Sequence, residues 1–413
     1  MSNSTGLTRR GVLAAGGAAL LGAAGGYAVA TRQGDTDAPS AGPAPVAPLT
    51  TTAPAEPAAT TTFIPFHGEH QAGVETEPAL FQTFIGLDLL EPSRESAAAV
   101  MALVTDDAAR LTLGEPALGD PQPELAVNAD MLTISVGLGH SLFERTGLGD
   151  RVPDWFPRIP SFPTDNIERG WAGTDLLLQV GANDPVALSH TVRLLTKDLS
   201  TLTRVRWQQP GFRSSAPGTM GVAARRNLMG QVEGTHFPQP GTPEFATVVW
   251  ADEGPDWAVG GTVLVLRRIR MLMDLWDRLD RPVQETVMGR NLTDGDLLGA
   301  SESGTSPFDA VDANGLPMIP ADAHVRVGRA DALDGIIMRR PYNYDDGVKG
   351  NASDVGLLFA AYTRDPRRSF IPTQQRLSDS DAFHRWINTI GSSTYVFPRG
   401  VNEGEIIAQG LFA

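Results

Sequence analysis

The chain has 413 residues, of which 41% are hydrophobic, 20% charged and 7% aromatic, enough apolar material for a large core and a length for two domains or one big one. Thirty-three basic residues against 48 acidic ones leave a net charge of −15, which argues against nucleic acid or an anionic membrane as the main partner. No cysteine is present, so disulfides, iron–sulfur clusters, cysteine–zinc sites and thiol nucleophiles are excluded. Metal chemistry must come from the seven histidines and the carboxylates, or from a cofactor that carries its own metal.

Thr8-Arg9-Arg10-Gly11-Val12-Leu13, a small-residue apolar run to about Gly26 and then Ala28-Val29-Ala30 form a basic region, an apolar region and a cleavage site. Residues 1–30 therefore read as an export signal, and the paired arginines point to the twin-arginine (Tat) route and an extracytoplasmic destination. Glycines and alanines interrupt the run, which falls short of the ~20 strongly apolar residues of a spanning helix. Residues 31–62 are mostly Ala, Pro and Thr; such a segment cannot bury a core and reads as a disordered tether.

From Phe63 onward the pattern alternates. Phe81–Leu90 reads as a buried strand and Glu95–Leu113 as an amphipathic helix, with Val100, Met101, Val104, Ala108 and Leu111 at helical spacing. Strands are expected at Met131–Gly137 and Asp175–Val180. Asn183-Asp184-Pro185 then opens a helix from Val186 to Leu202. The second half predicts strands at Thr247–Ala251, Thr262–Ile269, Gly335–Met338, Val355–Tyr362 and Thr394–Phe397, with helices at Leu272–Gly289 and Ser380–Ile390. This order in each half is the split βαβ, ferredoxin-like pattern. The expected fold is α+β: two ferredoxin-like halves with antiparallel sheets and packed helices, residues 63–238 and 239–413, joined near Pro238–Glu244.

Three segments carry candidate chemistry. In Arg226-Asn227-Leu228-Met229-Gly230-Gln231-Val232-Glu233-Gly234-Thr235, glycines bracket one carboxylate. They allow a tight turn and close approach to a flat ligand, although a plain surface turn with a solvated Glu fits the spacing too. In Asp322-Ala323-His324-Val325-Arg326 the histidine suits either a hydrogen-bonded structural role or metal ligation. Ile336-Ile337-Met338-Arg339-Arg340-Pro341-Tyr342-Asn343-Tyr344 brings two arginines out of a hydrophobic strand, either split between an inward anion or polar ligand and solvent or both solvated at the strand edge.

Taken in order, these segments resemble the dye-decolorizing (DyP-type) haem peroxidases, close to the Tat-exported branch that includes deferrochelatases. The family pattern is Arg-Asn-Leu-Met-Gly-x-x-Asp-Gly-Thr, then Ala-His-x-Arg, then Arg-Arg-x-Tyr-x-Tyr. The resemblance extends to His67-Gly68-Glu69-His70-Gln71-Ala72-Gly73, Asp175–Gln179, Val265–Arg270, Gly356–Phe359 and Gly391-Ser392-Ser393. It implies a dimeric α+β barrel-like superfamily fold and haem b (iron protoporphyrin IX), one per chain, held mainly by the C-terminal half.

By the same resemblance His324 is the iron ligand, Arg339 the distal arginine and Glu233 the distal acid. Gly234, Thr235, His236, Arg329, Ala330 and Asp331 contact haem, and Leu357 and Phe359 line the distal pocket. The implied activity is oxidation of dyes, phenolics or other small reductants by hydrogen peroxide in one-electron steps. The alternative is an exported haem-binding, iron-releasing protein with low turnover. The Tat translocon is the implied export partner, nucleic acid is not a partner, and homo-oligomer formation stays open. Two positions depart from the family: Glu233 stands where Asp is usual, one methylene longer, and Pro341 where Gly is common. Acid–base catalysis depends on placement, so the first departure bears on turnover more than on haem binding.

Overall fold

The computed structural model describes residues 61–214, 226–233, 238–300, 306–330 and 332–413. Nine strands are described: β1 Phe81–Leu89, β2 Thr133–Gly139, β3 Leu176–Ala182, β4 Thr203–Phe212, β5 Thr262–Met271, β6 Met338–Arg339, β7 Tyr342–Lys349, β8 Ala352–Thr363 and β9 Ile387–Phe397. They run in the order β5-β9-β2-β3-β1-β4-β7-β8-β6, and an additional pairing of β5 with β8 closes the antiparallel sheet into a barrel. Within the ring, β2-β3-β1-β4 form one contiguous block and β7-β8-β5-β9 the other, the ferredoxin-like arrangement twice over. No described helix is long and apolar enough to cross a membrane.

Local chemistry accounts for the helices. Arg94–Leu111 starts at Ser93, whose side chain accepts from Ser96 N–H, and buries Ala97, Val100, Met101, Val104, Ala108 and Leu111 against the outer face of the barrel. Pro185–Asp198 starts where Asp184 Oδ1 accepts from Val186 and Ala187 N–H at 2.8 and 2.7 Å. Proline at its first position suits a site where the N–H has no helical partner.

Several expectations are corrected by the same chemistry. Thr247–Ala251 is not a strand; Thr242 caps and Pro243 opens a helix, Pro243–Val249, so capping overrides the β-branched composition. The helix expected over Leu272–Gly289 is split into Met273–Trp276 and Arg281–Met288. Pro282 belongs in a first turn, and Asp280 caps the second piece. The helix expected over Ser380–Ile390 lies earlier, at Phe370–Ser380. Asp381 then caps a single 3₁₀ turn, Ala382–Arg385, and the chain runs directly into β9. Gly335 ends a 3₁₀ turn, Leu333–Gly335, and only Met338–Arg339 is strand. Strands β4 and β7 escape the pattern reading because both are polar, β4 exposing Arg204, Val205, Arg206, Gln208 and Pro210, and β7 ending in Asp345-Asp346-Gly347-Val348-Lys349.

Alternate residues fill the barrel interior: Phe84, Leu177, Trp207, Leu264, Leu266, Tyr342, Tyr344, Leu358, Tyr362, Tyr395 and Phe397 form one buried cluster. The segment His67–Gly73 is a fastener for the barrel end. Gln71 Nε2 donates to Val136 and Pro398 carbonyls, both at 3.0 Å, and Gln71 Oε1 accepts from Val136 N–H. His70 stacks on Trp250 with ring centroids 3.7 Å apart and bonds the Gly260 carbonyl through Nδ1.

One buried carboxyl makes stability depend on pH. Asp107, on the inner face of helix 94–111, is 5% exposed, and its Oδ2 has no hydrogen-bond partner. Burial, with Asp198 and Asp106 nearby, pushes its carboxyl up to about 6. The protonated form is thus favoured in the fold. The stability it contributes is present below the unfolded value of about 3.8 and is lost as pH rises through 6. Asp107→Asn, which stays neutral, should raise stability by about 1–3 kcal/mol at pH 7.5 and change it little at pH 4. Urea titrations at the two pH values check this; an equal gain at both removes the explanation.

Candidate active site

Register decides which side chains share the outer face of the second block. Arg339 pairs with Ala361, Phe359 with Arg267, Leu357 with Ile269 and also with Asn343. Directly opposed residues point to the same side of a sheet, so Arg339, Phe359, Leu357 and Asn343 face outward together. Arg340, one residue on, turns inward. It is 5% exposed and donates to the carbonyls of Val74, at 3.1 Å, and Thr76. Arg339 makes no hydrogen bond or ion pair among the described residues and is half-buried.

The turn carrying Glu233 is pinned to this face. Asn343 Oδ1 accepts from Leu228 N–H at 3.1 Å, and its Nδ2 donates to the Arg226 carbonyl at 3.2 Å. Arg226 donates to the carbonyls of Gly230, Leu292 and Thr293 at 2.6–2.8 Å, and Gly230 takes φ +81° to close the turn. Glu233 Oε1 accepts from Asn227 Nδ2 at 2.8 Å. Nearby, burial and then the charge of Arg339 push the Arg290 guanidinium below its usual value, with Asp296 and Glu233 acting against them. Arg290 thus feels both Arg339 and Glu233.

His324 opens a single helical turn, His324–Val327, held by Arg326, which donates to the carbonyls of Ile319 and Phe308 at 3.1 and 2.7 Å. Its Nδ1 lies 2.7 Å from Asp381 Oδ2, and Asp381 Oδ1 accepts from Phe383 N–H at 2.9 Å. The Ala382 N–H donates to the Asp322 carbonyl at 3.0 Å, so the two turns are also joined through backbone. Nε2 of His324 has no hydrogen bond among the described residues, and the side chain is 28% exposed. Burial pushes the neighbouring His384 imidazole below its usual range, opposed by Asp381.

One apolar cluster ties these parts together. Met229 of the Glu233 turn, Leu357 and Phe359 of β8, and Phe383, whose ring centroid is 5.3 Å from that of His324, all belong to it. Arg329 is exposed with its guanidinium 4.7 Å over the Phe308 ring, and Ala330 lies beside Gly335. Gly234, Thr235, His236 and Asp331 lie outside the described residues. Asp381 is the residue that sequence reasoning missed. Its signal was weak: one acid in a Ser-Asp-Ser-Asp run, distinguished only by capping the turn before Phe383. Among the described residues no group of three or more His, Asp and Glu gathers to hold a bare metal ion.

A carboxylate-anchored imidazole, an apolar wall and a guanidinium with no partner among the described residues are what an α+β barrel protein with an imidazole-ligated prosthetic group would present. Sequence models described as Dyp-type peroxidase, N-terminal, and Dyp-type peroxidase, C-terminal, match residues 71–213 and 224–402. A dye-decolorizing peroxidase of Thermobifida fusca is 37% identical over 359 residues, 83% of each chain. A deferrochelatase of Yersinia pseudotuberculosis is 33% identical over 367 residues, 84% of each. The solved DyP-type peroxidase of Cellulomonas bogoriensis superposes with a TM-score of 0.80 at 40% identity, covering 85% of this chain and 98% of that one. The oxyferrous/water complex of DtpA from Streptomyces lividans gives 0.81 at 36%, covering 86% and 98%. The chain belongs to the Dyp-type peroxidase family and is a haem peroxidase.

The residues present fit that cofactor. Haem needs one neutral imidazole nitrogen and apolar contact for its ring, and His324 Nε2 and the Leu357–Phe359–Phe383 surface offer both.

Proposed function

We propose that this chain binds haem b, one per chain, through His324 and uses hydrogen peroxide to oxidise dyes, phenolics or similar small reductants. The observation that carries the reading is the His324–Asp381 pair, which holds Nδ1–H and leaves Nε2 directed away from the carboxylate. An imidazole so anchored keeps one tautomer and gains basicity as a ligand. Haem, when bound, supplies the iron at which peroxide is split and through which electrons are drawn from the reductant. Arg339, which pairs with no carboxylate among the described residues, stabilises the negative charge that grows as the O–O bond breaks. Glu233 takes the proton from one peroxide oxygen and returns it to the other. Leu357 and Phe359 keep water from the reacting side. Gly234, Thr235, His236, Arg329, Ala330 and Asp331 remain proposed haem contacts by family resemblance.

Stopped-flow mixing of the haem-loaded protein with peroxide tests the acid. Glu233→Gln keeps the size but carries no proton and should slow the reaction about 10²–10⁴-fold, while Glu233→Asp should match or exceed the parent. One common rate for all three proteins removes Glu233 from the chemistry. It also favours the iron-releasing reading, to which the deferrochelatase relatives give a name.

We further propose export of the chain by the Tat route, supported by Arg9-Arg10 and the apolar run that follows. Replacing both arginines with lysine should retain the protein in the cytoplasm; unchanged export rules this route out.

A further inference from the structure

The turn that carries Glu233 also grips it. Asn227 Oδ1 accepts from Met229 N–H at 3.0 Å and from Gln231 N–H at 3.1 Å. Those two donors settle the orientation of the carboxamide, because a flipped amide would set its NH₂ against two N–H groups. Nδ2 therefore faces the other way, and it donates to Glu233 Oε1 at 2.8 Å. The backbone reinforces the turn: Asn227 N–H donates to the Gln231 carbonyl at 3.0 Å, and Gly230 N–H donates to the Asn227 carbonyl at 2.9 Å. Asn227 is thus held at four points before it touches the acid.

We propose that Asn227 is a positioning residue for Glu233. By tethering Oε1 it draws the carboxylate back toward residue 227, takes up the methylene by which glutamate exceeds aspartate, and leaves Oε2 as the oxygen that exchanges protons with peroxide. The proposal rests on the reading of Glu233 as proton carrier. A free glutamate samples many rotamers, and a reacting group misplaced by about 1 Å can cost about a hundredfold in rate. Arg290, which feels the charge of Glu233, lies outside the turn and does not replace a donor fixed within it.

Asn227→Asp separates the two jobs of the side chain. It keeps an oxygen for Met229 and Gln231 N–H, preserving the turn, and replaces the donor to Glu233 with an acceptor. In the full-length, haem-loaded protein, reaction with hydrogen peroxide should slow about 10- to 100-fold. The infrared carboxylate band that disappears in Glu233→Gln should shift. Combined with Glu233→Gln, the substitution should slow nothing further, because the carboxamide then at position 233 can donate to the carboxylate at position 227. A parental rate in Asn227→Asp, an unmoved band, or a double variant slowed by the product of the single effects overturns the proposal. If Asn227→Asp does not load haem, Asn227→Ser carries the same expectations, since serine accepts within the turn and is too short to reach the acid. Should Glu233→Gln itself react at the parental rate, the reading of Glu233 fails, and the infrared band alone then decides whether Asn227 holds it.

Discussion

His324→Ala is expected to abolish stable haem retention in an otherwise folded chain: the Soret band should be lost after gel filtration of protein produced with haem supplied. The reason lies in how few donors the site has. The chain has no thiolate, and His384, the other imidazole near Asp381, turns its Nδ1 toward the Asp381 carbonyl at 3.3 Å. Removing the imidazole takes away the bond to the iron, leaves Asp381 Oδ2 without its 2.7 Å hydrogen-bond partner, and leaves the ring to weaker contacts such as the apolar Leu357–Phe383 surface. Asp381→Asn gives the graded counterpart. It keeps the cap on Phe383 N–H but loses the charge that holds the imidazole, and such partners of a ligand cost about 10- to 100-fold in affinity. Unchanged absorbance and haem content in His324→Ala means another residue is the ligand.

The second large effect separates two adjacent arginines. Arg339→Leu should retain haem and slow reaction with peroxide about 10²–10³-fold, the usual loss when a preorganised donor to developing charge is removed. Arg340→Leu should leave that rate near the parent. It should instead lower stability by about 1–3 kcal/mol, because the carbonyls of Val74 and Thr76 lose a buried donor. Stopped-flow rates and urea midpoints on the same samples check both halves. Equal slowing by the two substitutions shows that the register argument does not describe which side chain faces the haem.

The contrast between these arginines shows where sequence reasoning stops. The pattern of Ile336–Tyr344 leaves it open which arginine turns to a ligand; the pairing of Arg339 with Ala361 settles the face. The spacing of residues 226–235 favours a plain surface turn, whereas Asn343, more than a hundred positions away in the chain, holds Arg226 and Leu228 to β7. Strands β4 and β7 are hidden by polar composition, because a strand that buries only part of its surface carries little hydrophobic signal. The helix boundaries around Thr242, Asp280 and Asp381 are written in capping residues and prolines, a signal that β-branched composition and helical periodicity mask.

By itself the sequence determined the α+β class, the haem peroxidase family and the chemistry excluded by a chain without cysteine. The class follows from periodicity and turn residues, the family from the resemblance of motifs spread along the chain to those of the DyP-type peroxidases, and the exclusion from composition. The tertiary structure alone decided that Asp381, 57 residues from His324, anchors the imidazole, that Arg339 and not Arg340 shares a face with Phe359, and that Asn227 grips Glu233. Strand register sets the face that Arg339 and Phe359 share. A one-residue slip would send both side chains to the other face, and no local propensity encodes that choice.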